Sequence, residues 1–111
     1  MSPVLSRALV LESPQRLADG AGGFVETWAV LGTLWAEVTA RAPRETAGAG
    51  GVQVLVGYRI TVRGAPPGAS NRPRPGQRFR DGARVFRILG VTNADASARY
   101  LTCTCEEEVT P

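Results

Sequence analysis

Val52-Gln53-Val54-Leu55-Val56-Gly57-Tyr58-Arg59-Ile60-Thr61-Val62-Arg63 is the stretch whose reading decides the fold. Val52, Val54, Val56, Tyr58, Ile60 and Val62 alternate with Gln53, Leu55, Gly57, Arg59, Thr61 and Arg63. A period of two with β-branched and aromatic residues on one face is the signature of a half-buried strand. Its length is about twice the usual ~5–6 residues of a strand. Gly57, which weakens a strand interior, predicts a bend or bulge there.

Working outward, Arg7 to Glu12 reads as a first strand ended by Ser13-Pro14, and Leu17-Ala18-Asp19-Gly20-Ala21-Gly22-Gly23 as a turn in which glycine supplies positive φ. Phe24 to Val30 and Thr33 to Ala40 read as two further strands joined at Leu31-Gly32, with Trp28 and Trp35 expected to anchor the core. Arg41 to Gly51 breaks the pattern with small residues and reads as a long loop. Gly64 to Gln77, with Pro66, Pro67, Pro73 and Pro75, reads as a second one, either a disordered excursion or a docking arm. Asp81-Gly82 between Arg78-Phe79-Arg80 and Ala83 to Val91 is the clearest hairpin signal. Arg99 to Cys105 is the last strand, and residues 106–111 read as an acidic, fraying tail. The sum is one all-β domain over residues 1–111, with six to seven antiparallel strands and no helix. A small β-barrel is the economical architecture because closure removes exposed edges, and a short sandwich is the competitor.

The 111 residues carry 13 Lys+Arg and 10 Asp+Glu, a net charge of +3, with no histidine. Every basic residue is arginine, and the charges are polarised. Residues 1–62 balance, residues 63–99 set eight arginines against Asp81 and Asp95, and Glu106, Glu107 and Glu108 follow without compensation. Such polarity suits head-to-tail contact with neighbours or a nearby polyanion. Without histidine the ordinary proton-transfer base near neutral pH is missing, and without lysine Schiff-base chemistry is closed, so no enzyme is expected. Cys103 and Cys105 share one face of a strand and read as small buried hydrophobes, too few for structural zinc. No cofactor or metal is expected. No apolar run approaches a membrane span, and no secretory signal opens the chain, which places it in the cytosol at synthesis.

The arginines of the 63–87 region offer a second reading. Arg72, Arg74, Arg78 and Arg80, near Phe79 and Phe86, form a candidate surface for DNA or a protein partner. A stand-alone small barrel binding single-stranded nucleic acid is the alternative function they open.

The order of these features resembles the head–tail joining (head-completion, or stopper) proteins of long-tailed phages, over residues 7–105. The resemblance rests on Leu9-Val10-Leu11, Asp19-Gly20 with Gly22-Gly23-Phe24, Thr27-Trp28, and Leu34-Trp35-Ala36-Glu37-Val38. It continues through Arg44-Glu45, Tyr58 to Arg63, Pro75-Gly76-Gln77-Arg78-Phe79, Gly82 to Ile88 and Arg99-Tyr100-Leu101. A gene transfer agent, a phage-derived particle, would use the same part. The resemblance implies a connector subunit in the particle neck, assembled in the host cytoplasm into a ring, hexamer or dodecamer, between the portal–adaptor complex and the tail. Such a ring retains packaged double-stranded DNA and offers the tail its docking platform. By the same resemblance the 41–51 segment projects toward the channel, making Arg41, Arg44, Glu45, Gly48, Gly50 and Gly51 the candidate channel-loop or interface residues. Its Gly/Ala content departs from the bulkier residues usual at that place.

Overall fold

The structure is a computed structural model that describes residues 2–48 and 51–109. Six strands appear among the described residues, and no helix: β1 (Arg7–Ala18), β2 (Phe24–Gly48), β3 (Gly51–Arg63), β4 (Arg78–Asp81), β5 (Arg84–Asn93) and β6 (Tyr100–Val109). They pair antiparallel in the order β1-β2-β3-β6-β5-β4, and β4 pairs back onto β1 to close a barrel.

Alternation fills the interior. Leu9 and Leu11 from β1, Ala36 from β2, Ile60 and Val62 from β3, Phe79 from β4, Phe86 and Ile88 from β5, and Leu101, Cys103 and Cys105 from β6 form one buried cluster. Tyr58 meets Phe86 edge to face, with ring centroids 4.9 Å apart. Ile60, Val62 and the partly buried Tyr58 therefore lie on the face that the period of two assigned to the core. Both thiols are fully buried and free, and desolvation pushes the Cys103 thiol up to about 12 and Cys105 higher still.

Four expectations are corrected. Leu31-Gly32 is no connection: β2 runs through it as one 25-residue strand. A bulge opposite Leu11/Glu12 absorbs the extra residue, and Gly32 takes φ 154, an angle that glycine alone adopts readily. Pro14 does not end β1, because β4 covers only Val10–Glu12 and Pro14 sits on an open edge where its missing N–H costs no ladder bond. The tryptophans do not anchor the core. Trp35 is 59% exposed beside the fully buried Ala36, since alternation turns the larger residue outward. Trp28 is half-buried outside the barrel, under the Arg78 guanidinium at 4.0 Å. Finally, residues 106–109 belong to β6, where Glu106 pairs with Gly57 and Glu107 with Val56.

Both long segments are more ordered than expected. Arg41 to Gly48 and Gly51 onward are paired strand, from Pro43↔Val56 to Gly48↔Gly51. The bulge predicted at Gly57 lies opposite it, where Arg41 and Ala42 interrupt the register between Ala40 and Pro43. Residues 64–77 are neither excursion nor free arm. Successive turns (Ala69 N to Pro66 O, Arg72 N to Ala69 O, Gln77 N to Arg74 O) fold them back, burying Pro73 and Gln77. Gly64 permits the start of this cap, because a Cβ there would lie 2.2 Å from the Ala98 carbonyl oxygen.

A core built from Phe79 rather than Trp35 makes an unequal pair of substitutions. Phe79→Ala should lower unfolding stability by about 3–5 kcal/mol, whereas Trp35→Ser should stay within about 0.5 kcal/mol. Urea midpoints of the two variants against the parent chain check this.

Candidate assembly surfaces

Because β2 is shared, it builds two hairpin arms that leave the barrel at opposite ends. Past Glu12, β1 has lost β4, and β2 gains β3 only from Ala36 onward, so Ser13–Ala18 and Ala29–Phe24 form a two-stranded arm. Its tip is the Asp19 turn. The Asp19 carboxylate accepts hydrogen bonds from Ala21 N at 2.8 Å and Gly23 N at 3.0 Å, with Gly20 and Gly22 at φ 80 and 87. Those backbone donors hold the carboxyl below its ordinary range. At the other end β2 and β3 continue together past Arg7↔Ala36, with β6 backing β3 as far as Val54↔Val109. Extents of 50 × 33 × 23 Å and a radius of gyration of 15.4 Å fit a barrel with projections, since a compact chain of this length has about 13 Å.

The candidate channel residues fall on this second arm. Arg41 lies at the bulge and packs beside Gly57, where an added Cβ would meet its Cβ at 3.6 Å. Arg44 stands opposite Leu55, Glu45 opposite Val54, and Gly48 opposite Gly51, while Gly50 lies outside the described residues. Sequence reasoning read this segment as a loop and missed its pairing, since its Gly/Ala-rich sequence carries no apolar alternation.

The four other arginines do not form one free patch. Arg78 Nε donates to Glu12 Oε1 at 2.7 Å and Arg80 Nε to Glu12 Oε2 at 3.0 Å. Arg72 donates from Nη1 to the Ala65 carbonyl at 2.8 Å, inside the cap. Arg74 is exposed, its backbone N–H tied to Gln77 Oε1 at 2.9 Å. Nothing in this geometry favours single-stranded nucleic-acid binding: Phe79 and Phe86, the aromatics such a strand would stack on, are fully buried.

Two carboxylates organise the paired arginines. Glu12 is 5% exposed; burial works to raise its pKa, and the hydrogen bonds from Arg78 and Arg80 overcome it, leaving the group below its ordinary 4.5. Glu107 closes the mouth of the barrel below the second arm. Arg84 reaches it from Nε at 2.9 Å and Nη2 at 3.1 Å, and the Tyr58 hydroxyl donates to it at 3.2 Å. The Arg84 hydrogen bonds outweigh burial and lower the Glu107 pKa, while burial beside Glu107 raises that of Tyr58. Arg7 pairs with Asp81 at the β4–β5 turn. Alternation about Phe79 puts Arg78 and Arg80 on one face, but only the β1–β4 pairing brings Glu12 to them, and no local sequence signal marks it.

Comparison with known proteins gives a consistent result. The family model described as phage head completion protein matches residues 2–108. No curated protein matches the chain. Five chains of solved structures match. One of them, from a structure described as the virion of a native gene transfer agent (GTA) particle, is 51% identical, with a TM-score of 0.90 over 99% of this chain and 100% of that one.

Glu12 and Glu107 are both held below the ordinary carboxylate value of 4.5, so their stabilisation is complete above that value and is lost as pH falls through the lowered folded-state values. Melting temperature should therefore drop steeply below pH ~4.5 in the parent and less steeply in Glu12→Gln. At neutral pH Glu12→Gln should cost about 2 kcal/mol, less than the ~3–5 of a wholly buried pair because both guanidiniums reach solvent. Thermal melts across pH 3–7 read both effects.

Proposed function

The chain belongs to the phage head completion protein family, and from that premise we infer how this head–tail connector subunit does its work. It acts as a stopper: copies form a ring between the portal–adaptor side and the tail side, and the β2–β3 arms narrow the channel through which double-stranded DNA passes. The observation that carries this is the pair of arms built on one strand. A subunit standing between two layers needs contacts at both ends, and β2 supplies one at each end of a closed barrel.

The arm is suited to the task by its pairing. From Pro43 to Gly48 the strand spans six residues, roughly 20 Å at ~3.3 Å per residue. A paired hairpin holds that reach with less ordering cost on docking than a loop of equal length. The sequence Ala47-Gly48-Ala49-Gly50-Gly51 is small, which leaves little for particular side chains to do there. The work is contact rather than catalysis. The chain has no histidine or lysine, and its two thiols are buried with raised pKa.

Replacing residues 46–53 with Asn-Gly shortens the arm to a tight two-residue hairpin and leaves the barrel untouched. The purified variant should melt as the parent does. Particles assembled with it should carry the subunit yet release their DNA, seen as empty heads by electron microscopy. Full, tailed particles in parental numbers would refute the channel role.

A further inference from the structure

The outward face of β2 carries large apolar side chains that nothing among the described residues buries. Phe24 is 60%, Val30 61% and Trp35 59% exposed. They share a face. Phe24, Glu26, Trp28 and Val30 alternate on the side of Glu12 and Arg78, outside the barrel, and past the bulge Trp35 resumes the outward side next to buried Ala36. Arg16 lies over the Phe24 ring at 4.4 Å without covering it. The β2 edge along this row is also open, because β3 joins only at Ala36. On the other flank of the arm Pro14 blunts the edge, as edges meant to stay free are blunted; the β2 flank has no proline from Phe24 to Trp35. Glu26, in the middle of the row, is exposed and makes no ion pair among the described residues.

The opposite wall of the barrel offers the complement. β5 is three strands from β2 in either direction round the ring, through β1 and β4 or through β3 and β6. Arg87 is exposed on its outward side, and Leu89, in the bulge between Ile88 and Gly90, is 51% exposed.

We propose that the β2 face of one copy docks on the β5 face of the next, with Val30 against Leu89 and Glu26 against Arg87. The occupant is a second copy because the acidic-apolar row and the basic-apolar spot lie on opposite walls of one molecule. A two-fold contact sets a patch against itself and leaves the other patch bare, whereas head-to-tail repetition uses both and closes into a ring if its rotation allows. This surface rests on the ring-subunit reading above and specifies which walls meet.

The test uses the full chain in assembled particles. Val30→Cys and Leu89→Cys are introduced singly and together, and particles are treated with a short bis-maleimide; the native Cys103 and Cys105 are fully buried and stay silent. The double variant should give a ladder of covalent multimers and each single variant only monomer, since Val30 meets Leu89 and never its own copy. Dimers from Val30→Cys alone, or no ladder from particles that hold the double variant, overturn the proposal. Independently, Glu26→Arg should reduce the amount of subunit in particles, and adding Arg87→Glu should restore it. A loss that Arg87→Glu does not repair, or no loss at all, overturns it too. If the parent chain were itself absent from particles, the connector reading would fall, a result distinct from any of these.

Discussion

The fold depends on a seam only three residue pairs long, where Val10–Glu12 of β1 meets Arg80–Arg78 of β4. Every other junction of the barrel is longer, and without this one the sheet would be open, with a bare edge on each side. On the inner side of the seam Leu11 faces Phe79 within the core; on the outer side Glu12 receives both flanking arginines. The same three positions thus provide apolar closure inside and an ionic clasp outside. The clasp brings specificity along with energy. Shifting β4 by one residue would turn Phe79 outward and drive Arg78 or Arg80 into the core, so alternation makes neighbouring registers prohibitive. Arg78 also lies over Trp28, which ties the root of the β1–β2 arm to the seam.

Much of this was legible in the residues, for identifiable reasons. The period of two over 52–63 named the core face of β3 correctly, and Asp81-Gly82 marked the β4–β5 hairpin, where Gly82 takes φ 61. What stayed hidden had two causes. Composition misleads where pairing is imposed from outside: residues 43–48 are poor in strand formers, yet β3 continues beside them and draws them into register. Size misleads where alternation decides: Trp35 is larger than Ala36, but parity along β2 turns Ala36 inward, and the tryptophan follows the opposite face. The acidic run 106–108 looked like a terminus because charge signals solvent. Glu107 is instead on the inward side of β6, a position affordable only because Arg84 and Tyr58, remote in sequence, converge on it. Pairings between distant residues are what a local reading lacks.

The candidate channel segment was read as a loop because its composition breaks the strand pattern. Arg41 to Gly51 stood out as an interruption, and over residues 43–48 the structure makes it a continuation of β2. The first arm went unnoticed because its β1 half read as the end of a strand at Ser13-Pro14, while Phe24 to Val30 read as a strand with Trp28 in the core. Leu17, Phe24, Val25 and Val30 have strand parity but no third layer to pack against, and each is at least half exposed.

That absence of a third layer bears on how the molecule behaves before and after assembly. A hairpin of two strands is marginal in water by itself, so the β1–β2 arm borrows order from the barrel at its root, whereas β6 backs the β2–β3 arm as far as Val54. The β1–β2 arm has its first pairs beside the Glu12 clasp and its last at the Asp19 turn, where side chain and backbone close the tip without apolar burial. Between them lie residues whose exposed surface is a hazard for a free monomer and an asset for an assembled one. Pro14 and Arg16 on β1, and Pro43 on β2 of the other arm, discourage indiscriminate strand addition in the free state. The barrel stays stable whether or not the arms are engaged, because its core draws on all six strands and does not include the arm tips. The arms are therefore not needed to complete the fold.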